Sequence, residues 1–92
     1  MLDRNGTNST ERVAQLVRQL MAKRSIDRLV DNDDVLSECG LSSLDMVNLM
    51  LAVETEFDIK IPDRDMTPSN FRSIAQIDKL VSALLRSDQQ VG

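Results

Sequence analysis

Ser42 and Ser43 stand side by side in the run Gly40-Leu41-Ser42-Ser43-Leu44-Asp45, ahead of an amphipathic stretch that ends in Glu54-Thr55-Glu56-Phe57-Asp58-Ile59. A serine hydroxyl at a helix start has three uses. It caps free backbone amides, attacks as a nucleophile, or is the point at which a phosphate-linked group is joined. The nucleophile needs a base to take its proton, most often histidine, and the chain contains none. Nor does a glycine follow at the spacing of a nucleophile elbow. Capping and attachment remain, and capping is the commoner role of serine at such a position. No catalytic residue is assigned. The single cysteine, Cys39, excludes an internal disulfide, and without histidine there is no ligand set for zinc. Cys39 reads as a small apolar loop residue, because no Lys or Arg neighbours it in sequence to lower its pKa.

The elements that must position these serines are helical. Val13, Leu16, Val17, Leu20 and Met21 recur at helical spacing, with Asn8 or Ser9 as cap and Arg12, Arg18, Lys23 and Arg24 off the stripe. From Ser25 to Leu41 the pattern breaks around Asp31-Asn32-Asp33-Asp34, and Ile26, Leu29, Val30, Val35 and Leu36 are left to pin a long loop. A second helix is expected over 43–56, capped by Ser42, with Asp45 in its first turn at the positive end of the dipole. Leu44, Val47, Leu51 and Glu54 share one of its faces, while Met50, Val53 and Phe57 form another apolar stripe. The helix is thus apolar over a wide arc, as suits an element packed between neighbours and beside a ligand groove. Ile59 and Ile61 alternate around Lys60, too briefly for a strand. Pro62 and Pro68 confine the next segment to a helical turn or so. Ser73-Ile74-Ala75-Gln76 has the form of a capping box, and Ile74, Ile77, Leu80, Val81 and Leu84 give the last helix its stripe.

The 92 residues make one domain, too small for a deep enzyme cleft, since a chain of this size buries only about 60% of its unfolded surface. Two phenylalanines, no Trp and no Tyr make the core aliphatic. The expected divisions are a mobile tail over 1–8, the domain over 9–86 and a second mobile tail over 87–92. The net charge of −4 argues against nucleic acid as a partner. Seven acids lie between Glu38 and Asp65 against only Lys60 and Arg64, so the acidity gathers after the serines. The N-terminus lacks an apolar export signal and no run approaches membrane-spanning length, which reads as cytoplasmic, with no membrane insertion.

At this point the arrangement resembles the acyl carrier protein family. The resemblance rests on Leu36, on Gly40 to Asp45, on Glu54 to Asp63 and on Phe71-Arg72-Ser73-Ile74, and it spans roughly Val13 to Leu85. It implies an all-α, four-helix bundle with three long helices, one short helix and a long first loop. It also implies 4'-phosphopantetheine joined to the serine just before Leu44, here Ser43, with acyl groups held on its thiol as thioesters. The implied partners are a phosphopantetheinyl transferase, an acyl- or aminoacyl-loading ligase and downstream acyl-transfer enzymes, acting on a monomer that is itself no enzyme. The phosphodiester would meet free amides at the helix start, and Gly40 would leave room for the transferase. Partners would dock through Asp45, Glu54, Glu56, Met46 and Leu51. A lipid-like cargo would lie between the second helix and the short one, along Val47, Leu51, Ile59, Ile61 and Phe71. Ser42 replaces the aspartate common before the modified serine, Cys39 a usual leucine, and the segment from Pro62 to Phe71 is longer than in fatty acid carriers. A general acyl carrier ranks first. A stand-alone aminoacyl or peptidyl carrier ranks second, and an unmodified helical interaction module is the rival from another class.

Overall fold

The computed structural model describes residues 8–91, with side chains through Arg86. Three α-helices carry the fold: α1 (Ser9–Lys23), α2 (Ser43–Phe57) and α3 (Ile74–Val91). Two 3-10 helices, Leu36–Cys39 and Asp63–Asp65, lie in the connections, and no strand occurs among the described residues. The expected short fourth helix, confined to a turn or so between Pro62 and Pro68, is a three-residue 3-10 turn. Its physical cause is local. Pro62 starts the turn; beyond Pro68 the chain closes successive tight turns, with Asn70 N–H on the Thr67 carbonyl and Phe71 N–H on that of Pro68. Of the expected tail over 1–8, residues 1–7 lie outside the described residues, and Asn8 is the N-cap of α1, its side chain accepting from Glu11 N–H. The expected tail from Ser87 begins within α3, whose backbone helix runs to Val91.

α1 packs against both α2 and α3, so its apolar stripe is the spine of the core. Val13, Ala14, Val17 and Met21 from α1 meet Leu49, Val53 and Phe57 from α2 and Ile74, Ile77 and Val81 from α3. Leu36, Cys39, Leu41, Ile61 and Phe71 close the ends from the loops. Cys39 is thus the buried apolar residue expected, its thiol 3.4 Å from the Val35 carbonyl.

The long first loop is tied down rather than loose. Leu36 N–H donates to the Arg72 carbonyl at 2.8 Å, and Ala75 N–H to that of Asn32 at 2.9 Å, stitching the loop to the start of α3. Gly40 adopts φ 103°, and a Cβ there would lie 3.2 Å from Ile26 Cδ1. The glycine serves a left-handed turn over Ile26 directly before α2.

Candidate functional site

The N-terminus of α2 distinguishes the two serines by geometry. Ser42 is the N-cap: its hydroxyl accepts from Asp45 N–H at 3.1 Å, and Asp45 Oδ2 accepts from Ser42 N–H at 2.9 Å. This reciprocal capping box satisfies two donors with one pair of side chains. Ser43 is the first helical residue, exposed, and its hydroxyl makes no hydrogen bond among the described residues. The amides of Ser43 and Leu44, in the first turn, have no intrahelical acceptor.

Asp45 is built into the scaffold, which corrects its expected role as a docking acid. It is 2% exposed, and Arg24 Nε donates to its Oδ1 at 2.6 Å. The Ser42 N–H above all, then Arg24 and the Ser42 hydroxyl, hold its carboxyl below the ordinary carboxylate range against the opposing effect of burial. The other two acids proposed for docking are also engaged. Glu54 Oε2 accepts from Ile61 N–H at 2.7 Å, and Glu56 Oε2 pairs with Arg12 Nε at 2.8 Å, while Arg12 covers the Phe57 ring at 4.4 Å.

α2 also presents an apolar face. Leu44, Val47 and Leu51 are 63%, 47% and 53% exposed on the face opposite Leu49 and Val53, whereas Met46 is half-buried against the core. Of the expected apolar contacts, Leu51 is therefore open, and Leu44 and Val47 join it. The buried stripe of the helix runs Asp45, Leu49, Val53, Phe57, an i, i+4 row closed at its polar end by the capping box.

A groove of about 500 Å³ opens beside Ser43. One wall is Ser42, Ser43, Met46, Val47 and Met50 of α2, and the other is Met66, Pro68, Ser69, Phe71 and Arg72. Val47 and Phe71 line it as expected. Leu51, Ile59 and Ile61 do not: Ile61 is core, 1% exposed, and Leu51 faces outward.

An exposed, unbonded serine at the start of a helix, beside an apolar groove, fits covalent attachment of a phosphate-linked arm. Comparison with known proteins decides the family. Residues 11–78 match the family described as the phosphopantetheine attachment site. The chain belongs to this carrier protein family. Aminoacyl carrier proteins 1 and 2 of Bradyrhizobium diazoefficiens are 38% and 39% identical to this carrier over 80 and 74 residues. Those matches cover 87% and 80% of this chain and 89% and 83% of the relatives. Among solved structures, the carrier resembles the chain in a crystal structure of Bradyrhizobium japonicum glycine:carrier protein ligase complexed with its cognate carrier protein and an analogue of glycyl adenylate. The TM-score is 0.71 at 37% identity, over 83% of this chain and 99% of that one. No helix among the described residues is long and apolar enough to cross a membrane.

Proposed function

We propose that Ser43 carries the 4'-phosphopantetheine arm and that the chain presents aminoacyl thioesters on it to partner enzymes. The observation that carries the assignment to Ser43 is the division of labour at the α2 start: Ser42 is spent on the cap, while the Ser43 hydroxyl is exposed and unbonded. The arm, when bound, supplies a thiol for thioester formation; the protein's own residues hold the serine at the helix end and offer the groove beside it. Residues 9–86 form the carrier domain in this reading, a cytoplasmic monomer without catalysis of its own, and the turn at Asp63–Asp65 takes the place of the short fourth helix. The aminoacyl cargo, second in the sequence reading, moves ahead because the relatives that match most of the chain are named aminoacyl carrier proteins. The loading partner is then a ligase that activates an amino acid as its adenylate, of the glycine-specific kind found with the neighbouring carrier. Partners meet α2 through Leu44, Val47 and Leu51.

The apolar floor of the groove, Met46, Met50, Met66 and Phe71, favours a second reading in which an acyl chain is the cargo. Thermal unfolding separates the two. Each methylene buried gains about 0.8 kcal/mol at best, so a medium-length acyl chain that enters the groove raises Tm above the free-thiol form. A glycyl group adds too little apolar surface to do so. The aminoacyl reading expects no rise in Tm with an octanoyl cargo, together with ATP-dependent loading by a glycine-activating ligase. A clear rise, with no amino acid loaded, would return the general acyl reading to first place.

A further inference from the structure

The groove beside Ser43 is apolar or neutral along both walls except at Arg72, the one charged residue that lines it. This matters in a chain of net charge −4 whose acids crowd the same region. Arg12, Arg18 and Arg24 each pair with an acid, whereas the exposed Arg72 side chain has no ion pair or hydrogen bond among the described residues. Its backbone is nevertheless fixed, because its carbonyl accepts from the N–H of fully buried Leu36, and neighbouring Phe71 is core. A guanidinium without a partner among the described residues therefore stands on an anchored stem in the lining of the groove that Ser43 shares. No carboxylate competes for it from the groove lining, and the acid closest to Ser43 in the helix, Asp45, is turned to Ser42 N–H and Arg24.

A phosphodiester on Ser43 holds a negative charge at any pH near neutrality, and its oxygens match the planar fork of arginine. The amides at the α2 start supply donors from one side only. Resting on the attachment at Ser43, we infer that Arg72 is a positioning residue: it pairs with the arm's phosphodiester from the opposite wall and draws the root of the arm over Met46, Met50 and Met66. The arm then leaves the protein in a preferred direction instead of sweeping freely from the helix end. Such a pair is electrostatic and partly exposed, so salt weakens it.

The full chain with 13C-methyl-labelled methionine, compared before and after a coenzyme A-dependent transferase adds the arm, tests this in wild type, Arg72→Gln and Arg72→Lys. Substitution leaves the pinned backbone oxygen in place, and the methyl of Met21, buried in the core, reports that the fold is intact. The expected result is that arm attachment shifts the methyl resonances of Met46, Met50 and Met66 in wild type and, less strongly, in Arg72→Lys. Those shifts are lost in Arg72→Gln and shrink in wild type as salt is added. Shifts that survive in armed Arg72→Gln, or a wild type whose methyls ignore the arm, would overturn the inference while leaving the carrier reading standing. Intact mass on each sample reports the arm itself, and a wild type that gains none brings down the attachment at Ser43 and this inference with it.

Discussion

At the scale of single residues, the two serines differ by one position and by what their hydroxyls do. Ser42 accepts a helix amide, and Asp45 returns the bond to the Ser42 backbone. Asp45 also takes Arg24, so one carboxylate joins the end of α1 to the start of α2. The Ser42 cap was legible in the sequence, and so was Asp45 in the first turn, though as a charge at the helix dipole and not as the return bond to Ser42. The ion pair was not, because Arg24 and Asp45 lie 21 positions apart and only the packing of α1 on α2 brings them together. Since the folded-state pKa of Asp45 lies below its ordinary value of 3.8, its ionised form stabilises the fold above that pH. The contribution is lost as pH falls through the depressed folded value. Asp45→Asn keeps the size and one acceptor but removes the charge. The Tm gap between wild type and Asp45→Asn should be steady from pH 7 to about pH 5 and should narrow at more acidic pH. A gap that does not change with pH would mean that the charge of Asp45 does not matter to stability.

At the scale of elements, α2 is where sequence periodicity said least. The ends of α1 and α2 were legible because Asn8 and Ser42 are side-chain caps whose bonds to Glu11 N–H and Asp45 N–H are decided within one turn. Which face of α2 is buried was not, because leucine, valine or methionine occupies nearly every side of it. Leu49, absent from the stripes read in the sequence, is 1% exposed, and Leu51 two residues on is half open. Of the acids expected to dock, Asp45 is buried on Arg24, Glu54 accepts from Ile61 N–H, and Glu56 stays exposed in a bridge with Arg12. The contrast gives a direct check. Leu49→Ala should cost about 2–5 kcal/mol, as large-to-small changes in a core do. Leu51→Asp should leave stability within about 0.5 kcal/mol and slow arm addition or ligase loading. A Leu51→Asp protein that unfolds early, or that is loaded as fast as wild type, would refute the exposed apolar face as the docking surface.

At the scale of the whole molecule, α1 holds α2 on one side and α3 on the other, and the loops between helices close the ends of the core. The groove is what this arrangement leaves between the first half of α2 and the turns after Pro62. That a groove would lie beside Ser43 was legible from the wide apolar arc of α2. Its lining was only half legible, since Val47 and Phe71 line it but Ile61 sinks into the core, where its N–H is held by Glu54 seven residues back. The cargo left no mark on the periodicity, because carriers of different cargo share one core and differ in surfaces. The whole reading turns on a single covalent bond. Intact mass after incubation with coenzyme A and a broad-specificity phosphopantetheinyl transferase measures it in wild type, Ser42→Ala and Ser43→Ala. Wild type and Ser42→Ala, the latter destabilised by about 1 kcal/mol through its lost cap, should each gain one phosphopantetheine, and Ser43→Ala should gain none. An armed Ser43→Ala, or a wild type left unmodified by several such transferases, would contradict the assignment.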